Sequence, residues 1–541
     1  MSDPTDSDDE ITVATERTPL IGVPDFSETS ETSETSEIPP LTRKDGHSRS
    51  PTVVSISSAN ISLSTPQKPI AVIGLFLLVV FTASAADAFK QIPMTRIFED
   101  ILCHEYYGKA PGSDGPIDEK LCKADAIQSK LAYLFAVLEA LNAGISCLVA
   151  LLWAIVADRI GRKPVYAASS VGLVLSTLLT IIVAWFSNVL PPKLLWVSSL
   201  AHLCGGSPVM NACIYSILSD VVPESSRSIY FMRIHMVSLI GNLVSPALSS
   251  AMMYLTGPWP AMILALILWI IATAMIAFIP ETFHRTHPSN DADSEPATFK
   301  ARALRGLGQL KDSLSIIRIR SVALILCICL LTYPILVCTL QFMAQFISKR
   351  YHIPLNKTGY VQSVYGVAHM VVVLLIVPAV SFLIVQPTTP KWLRVADDGS
   401  RDIILVRWSY VASIIGTVIL GISPSLPIFI GGLIVMSFGS GSASFIKGIA
   451  ASYVDAEHWL RLFAIMSLLE ITSNIYAMPA LAGLFTLGMR LGGEWIGLPY
   501  VGVSLTCLAM LVLSLFLQVP ATKSSDEESS SERESLIDHN E

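Results

Sequence analysis

Twelve long apolar segments follow one another along the chain, and short polar stretches separate most of them. Each is long enough to cross the hydrocarbon core of a membrane as a helix, which takes roughly 20 residues. The predicted spans are 70–88, 131–156, 165–187, 194–220, 234–255, 261–279, 321–347, 358–385, 404–422, 427–450, 462–487 and 499–519. The pattern therefore predicts an all-α membrane protein.

One long polar break between spans divides the twelve helices six and six. Equal halves joined in this way are typical of transporters that bind substrate between the halves, near the middle of the membrane. We expect two pseudo-symmetric six-helix bundles. The predicted divisions are a disordered tail (1–68), an amino-terminal bundle (69–280), a cytosolic loop (281–319), a carboxyl-terminal bundle (320–519) and a second disordered tail (520–541).

Composition and charge narrow the class of protein. Apolar residues make up 52% of the 541 positions and charged residues 15%, against roughly 25% charged in soluble domains. The chain carries −7 overall, and its acidic residues are concentrated in the two tails. A soluble enzyme is therefore excluded, and nucleic-acid binding is not expected because the chain has no basic stripe.

Lysine and arginine are concentrated in the loops that follow even-numbered spans, above all in 281–319. Short loops rich in these residues stay in the cytosol. Both termini are therefore predicted to be cytosolic, in a protein of the cell membrane or, as the second choice, of a vacuolar or endosomal membrane.

The loop between spans 2 and 3 reads Ala154-Ile-Val-Ala-Asp158-Arg159-Ile-Gly161-Arg162-Lys163-Pro164. It resembles the signature G-x-x-x-D-R-x-G-R-K of the major facilitator superfamily, with alanine at the first glycine. The resemblance covers about residues 70–520 and implies the twelve-span major facilitator fold. It also implies a gating loop made by Asp158, Arg159, Gly161, Arg162 and Lys163. The alternative is a positively charged membrane anchor without a gating role.

Span 5 carries a second motif, made of Gly241, Ser245, Pro246, Ser249 and Ser250. It resembles the antiporter motif G-x-x-x-G-P-x-x-G-G of the same superfamily, with serine at three glycine positions. That motif is associated with drug–proton exporters. The alternative is a face of small residues that lets helices pack closely.

Ionisable residues inside spans are costly and usually functional. Glu139 lies in span 2, with Asn142 and Ser146 on the same helical face. His202 lies in span 4, where the superfamily often has arginine, and Asp87 lies near the end of span 1. Glu139, His202 and Asp87 are the candidates for proton coupling, and the alternatives are solvated or hydrogen-bonded structural side chains.

Other polar residues at depth are candidates for the wall of a substrate cavity. They are Asn142, Tyr333, Gln341, Gln345, Tyr365, His369 and Asn474. Lys447 and Glu470 lie at similar depth on consecutive spans, and we expect them to form a buried ion pair whose disruption is costly.

Two cysteines, Cys103 and Cys122, lie in the first predicted external loop. A disulfide between them would contribute about 3 kcal/mol, and the alternative is two free thiols. Asn356 begins a glycosylation sequon close to span 8. The nine cysteines form no metal-binding pattern, and we expect no metal or cofactor.

Both tails carry an acidic residue followed by a Leu-Ile pair. The pairs are Leu20–Ile21 and Leu536–Ile537. They resemble the signals that vesicle-coat adaptors read, so these adaptors are candidate partners beside the lipid bilayer, a small-molecule substrate and protons.

The chain also resembles fungal carriers of drugs and secondary metabolites and, more weakly, proton-coupled folate transporters. It has no ATP-binding loop and no catalytic signature in a suitable context. We therefore expect proton-coupled efflux of a small organic molecule by alternating access. Proton-coupled uptake of an organic anion or nutrient and a transporter-like sensor are the alternatives.

Overall fold

The computed structural model describes residues 69–108, 117–222, 227–279, 320–385, 398–453 and 459–518. Eleven helical stretches among them are long and apolar enough to cross a membrane. The predicted fold class, an all-α membrane protein, is confirmed. The boundaries predicted at 280–281, 319–320 and 519–520 fall in or beside segments outside the described residues, as do both Leu-Ile pairs.

The first half of the described chain contains six α-helices. They are α1 (Pro69–Tyr107), α2 (Asp125–Ile160), α3 (Arg162–Trp185), α4 (Gly206–Val221), α5 (Arg227–Thr256) and α6 (Pro258–Met275). Three 3₁₀ helices accompany them, at Leu121–Lys123, Pro192–Cys204 and Ile276–Phe278.

The second half contains nine further α-helices. They are α7 (Arg320–Leu340), α8 (Met343–Arg350), α9 (Thr358–Val371), α10 (Val377–Val385), α11 (Asp398–Ile422), α12 (Leu426–Ser437), α13 (Ser442–Ser452), α14 (Trp459–Leu491) and α15 (Leu498–Leu515). Two 3₁₀ helices lie at Leu355–Lys357 and Gly493–Gly497, and a π-helical turn at Val372–Ile376 joins α9 to α10.

The fourth predicted span, 194–220, combines two kinds of helix. The 3₁₀ helix Pro192–Cys204 leads into α4 through Gly205, which has a φ of 124°. A Cβ atom at Gly205 would lie 2.3 Å from the Ser169 hydroxyl oxygen. Glycine is required there because other residues rarely adopt this φ and no side chain fits.

Helix α1 extends far beyond its predicted end at residue 88. The helix runs to Tyr107 because its charged residues pair along it, which allows a polar stretch to stay helical. Lys90 contacts Asp87 at 2.7 Å, and Arg96 contacts Glu99 at 3.0 Å. Most of the predicted first loop is therefore helix, and Asp87 lies near the middle of α1.

Span 7 ends earlier than the predicted residue 347. Helix α7 stops at Leu340, and after a turn the chain forms the separate short helix α8. Gln345 therefore lies on α8, outside the spanning helix in which the sequence placed it.

The two halves meet along two helix pairs, α2 with α14 and α5 with α9. At Gly359 of α9, an added Cβ atom would lie 2.2 Å from the carbonyl oxygen of Pro246. The absence of a side chain thus allows α9 to approach the backbone of α5. Below, the disulfide end is the end of the bundle with Cys103 and Cys122, and the loop end carries residues 158–164.

Candidate functional site: a cavity between the two halves

A cavity of about 670 Å³ lies between the halves, with walls from α1 to α4 on one side and from α7, α13 and α14 on the other. Its volume lies in the range of small-molecule sites, roughly 300–1,000 Å³. Nine predicted site residues line this cavity: Asp87, Glu139, Asn142, His202, Tyr333, Gln341, Lys447, Glu470 and Asn474.

A cluster of three charged side chains occupies the first-half wall. Lys90 and Asp87 form an ion pair of 2.7 Å, and the Asp87 side chain is 60% exposed. Glu139 makes no ion pair or hydrogen bond within the described part of the chain, and it lines the same cavity as Lys90 and Asp87. Sequence reasoning missed Lys90, although its position three residues after Asp87 is a helical ion-pair spacing.

His202 lies in the 3₁₀ helix of span 4 and is buried. Its Nδ1 atom lies 3.3 Å from the Ser146 hydroxyl oxygen on α2. This contact fixes the imidazole ring against α2 at the edge of the cavity.

Three amide side chains line the cavity, and the oxygen of each has no hydrogen-bond partner among the described residues. They belong to Asn142, Gln341 and Asn474. Buried polar groups are normally paired, so these amides are available to a bound molecule once they rotate. They come from both halves, on α2, beyond the end of α7 and on α14.

The other predicted cavity residues lie elsewhere. Tyr365 is buried in the apolar core, with its ring edge-on to His369 at 5.9 Å between centroids. The Nδ1 atom of His369 lies 2.8 Å from the Ser440 hydroxyl oxygen. Gln345 donates a hydrogen bond to the Gln128 carbonyl oxygen at the disulfide end.

Lys447 and Glu470 form the expected ion pair, with 3.0 Å between Nζ and Oε1. The prediction that the pair is buried is wrong, since the side chains are 45% and 34% exposed. The reason is their position, because α13 and α14 present both groups to the cavity.

The residues predicted to form a gating loop make a tight reversal at the loop end. Helix α2 ends at Ile160, Gly161 has a φ of 103°, and α3 begins at Arg162. Arg162 donates to the carbonyl oxygen of Ser216 at 2.9 Å, and Lys163 donates to that of Ala277 at 3.0 Å. These contacts tie α3 to α4 and to the end of span 6. Arg159 is exposed, and the side chain of Asp158 lies outside the described residues.

The span-5 motif brings α5 close to two helices. A Cβ atom at Gly241 would lie 3.1 Å from backbone atoms of α1, and the Ser249 hydroxyl donates to the Phe89 carbonyl oxygen at 2.7 Å. The Ser250 hydroxyl oxygen accepts the Gly359 N–H at 3.1 Å, and Pro246 and Ser245 are buried. The motif thus packs against α1 of its own half and α9 of the other half.

Cys103 and Cys122 form a disulfide, with their Cα atoms 5.2 Å apart. Asn356 lies in the 3₁₀ helix Leu355–Lys357 and is half-buried. Within the described residues, no cluster of His, Cys, Asp and Glu that could hold a metal ion is found.

Sequence comparison agrees with this architecture. The sequence model of the Major Facilitator Superfamily matches residues 129–396. The chain thus carries a domain of this superfamily. It is therefore a secondary transporter that acts on a small-molecule substrate within a membrane, and it is not an enzyme.

Curated relatives of this transporter are fungal. The MFS efflux pump atnC of Emericella nidulans is 28% identical over 442 residues, which cover 80% of this chain and 84% of that protein. The MFS-type transporter avaK of Aspergillus versicolor is 24% identical, over 84% of this chain and 93% of that protein. The efflux pump ustT of Aspergillus flavus is 24% identical, over 77% and 84%.

Solved structures share the fold of this transporter. The D-xylose-proton symporter has a TM-score of 0.57 at 12% identity, over 83% of this chain and 99% of that chain. The human organic anion transporter MFSD10 has a TM-score of 0.53 at 15% identity, over 83% of this chain and 100% of that chain. At these identities the likeness concerns the fold alone.

Proposed function

We propose that this transporter exports a small organic molecule in exchange for protons, by alternating access of the central cavity. The observation that carries the proposal is the charge cluster of Asp87, Lys90 and Glu139 in the cavity wall. Two carboxylates and one ammonium group line this wall, so the cluster has one negative charge in excess when both carboxylates are ionised.

An excess charge in the membrane is costly unless it is neutralised. A proton on Glu139 neutralises the cluster and leaves the Asp87–Lys90 pair intact. A donor group of the substrate can neutralise it instead. Because only one charge needs to be compensated, the proton and the substrate compete for the site. Each ligand therefore binds when the other has left, which couples their movements in opposite directions.

The amides of Asn142, Gln341 and Asn474 supply the neutral part of the binding site. They come from both halves, so a bound molecule contacts both at once. Relative rocking of the halves changes these contacts, as alternating access requires.

The direction of transport is proposed from the relatives, two of which are named efflux pumps. We further propose that the loop end faces the cytosol, since the lysines and arginines of its loops favour that side. The disulfide end then faces an oxidising compartment, where disulfides persist.

The test begins with the substrate. Compounds retained in cells that lack the gene are identified by mass spectrometry, and the most enriched one is the probe for flux into sealed proteoliposomes. We expect the compound to move in the direction opposite to the protons that flow down an imposed gradient. Movement of the compound in the same direction as the protons would reject the exchange mechanism and support proton-coupled uptake.

A further inference from the structure

A buried charge cluster lies at the disulfide end, away from the cavity residues discussed above. Its centre is Glu99 on α1, whose side chain is 1% exposed. The Lys123 ammonium and the Gln128 amide nitrogen each lie 2.6 Å from one Glu99 oxygen, and Arg96 lies 3.0 Å from the other. Lys123 is itself 4% exposed. A carboxylate this deeply buried is tolerated because three donors surround it.

Helix α8 of the second half inserts two side chains into this cluster. The Lys349 ammonium lies 2.5 Å from the Lys123 carbonyl oxygen and 2.5 Å from a carboxylate oxygen of Asp125. The Gln345 amide nitrogen donates to the Gln128 carbonyl oxygen at 2.9 Å. The cluster therefore joins the two halves by hydrogen bonds and charge.

A third contact follows directly after α8. The backbone N–H of Leu355 donates to a Glu119 carboxylate oxygen at 2.9 Å. All acceptors that these second-half donors use thus lie in the short segment 119–128. The segment contains a three-residue 3₁₀ helix and the first turn of α2. The disulfide from Cys122 to Cys103 ties the segment to α1.

We propose that segment 119–128 and α8 form a clamp that closes the disulfide end of the cavity during transport, and that the disulfide positions the receiving segment. The clamp comprises Glu99, Glu119, Lys123, Asp125, Gln128, Gln345 and Lys349. Its polar groups satisfy one another when the halves meet, and water satisfies them when the halves part. Opening therefore leaves none of these groups both buried and without a hydrogen-bond partner, which keeps the cost of breaking the clamp in each transport cycle low.

The clamp is tested by access to the cavity, a readout that needs no substrate. Ser176→Cys serves as the reporter, because Ser176 lines the cavity. A membrane-impermeant maleimide is added to each side of sealed proteoliposomes in turn. Leu491 is exposed and lies at the disulfide end. Labelling of a Leu491→Cys variant therefore shows from which side of the membrane the reagent reaches this end. The parent without a reporter gives the background from the seven free cysteines.

In the Lys349→Met variant we expect reporter labelling from the disulfide side to rise about tenfold, equivalent to roughly 1.4 kcal/mol in the closing equilibrium. Lys349→Arg keeps the positive charge and should show a smaller rise. Arg350→Met is the matched control, since Arg350 contacts carbonyl oxygens of Gly493 and Glu494 within its own half. Its labelling should equal that of the parent.

The disulfide is tested with Cys103→Ser combined with Cys122→Ser, which should also raise labelling from the disulfide side. Cys327→Ser removes an exposed free thiol and is the control. Gln345→Leu provides a second clamp variant if Lys349→Met does not fold. Equal labelling of folded Lys349→Met and Arg350→Met proteins would overturn the clamp. Unchanged labelling without the disulfide would overturn its positioning role.

Discussion

The cavity and the clamp both contain charged and amide side chains, and they differ in how these groups are satisfied. In the clamp, Glu99 and Lys123 are almost fully buried and bonded to each other. In the cavity, Glu139 has no bonded partner and Asn142 has an unpaired oxygen among the described residues. Polar groups that satisfy one another stabilise one arrangement of the helices. Polar groups left without partners are available to a ligand, and substitutions should separate the two cases.

The largest stability effect is expected at the centre of the clamp. Glu99→Ala removes the carboxylate that lies nearest to both Lys123 and Arg96, and removing one partner of a buried ion pair costs about 3–5 kcal/mol. The measurement is the melting temperature and the free energy of unfolding of the purified protein in detergent. Glu105→Ala is the control, because Glu105 is 44% exposed and its contact with Lys130 is 3.9 Å. An equal loss of unfolding free energy in Glu99→Ala and Glu105→Ala would show that the buried clamp carboxylate stabilises the fold no more than an exposed one.

The next effect is expected where α9 packs against the backbone of α5. Gly359→Ala places a Cβ atom 2.2 Å from the Pro246 oxygen and the Ser250 hydroxyl oxygen. Such overpacking costs about 1–3 kcal/mol and should lower the transport rate by separating α5 from α9. Gly431→Ala on α12 is the control, with no atom within 4 Å of the added Cβ. A tolerated Gly359→Ala would mean that the two helices need not touch.

A substitution in the cavity should weaken substrate binding without lowering the stability of the protein. Asn142→Leu removes an unpaired oxygen, so stability should stay constant or rise, since replacing an unsatisfied polar group does not break a bond. The apparent KM for the identified substrate should increase about tenfold, the loss of about 1.4 kcal/mol. Gln128→Leu is the matched clamp variant, because its amide bonds Glu99, and it should be destabilised. Destabilisation of Asn142→Leu to the same degree would contradict the comparison.

The smallest effect is expected for the second ion pair of the cavity. Lys447 and Glu470 are partly exposed, and exposed pairs contribute about 0.2–1 kcal/mol. A double-mutant cycle with Lys447→Ala and Glu470→Ala measures their coupling by unfolding in detergent. A coupling of several kcal/mol would instead indicate a pair shielded from water.

Much of the fold followed from the sequence because long apolar runs have few alternatives in a membrane. The amides at 142, 341 and 474 could be placed in the cavity because polar residues on apolar helices avoid lipid. The extension of α1 was missed because Lys90, Arg96 and Glu99 end the apolar run, although their charges pair along the helix. The clamp was missed because its partners are far apart in sequence. Lys349 and Asp125 meet when the two halves are assembled, which no local pattern records.

The most direct test of the proposed coupling is the pH-driven flux of the identified substrate in the Glu139→Gln variant, measured in proteoliposomes beside Glu105→Gln. Glutamine keeps the shape of the side chain and cannot exchange a proton. We predict that Glu139→Gln loses flux driven by the proton gradient but keeps exchange of labelled for unlabelled substrate, while Glu105→Gln keeps both. Unchanged gradient-driven flux in Glu139→Gln would contradict the role of Glu139 as the proton carrier.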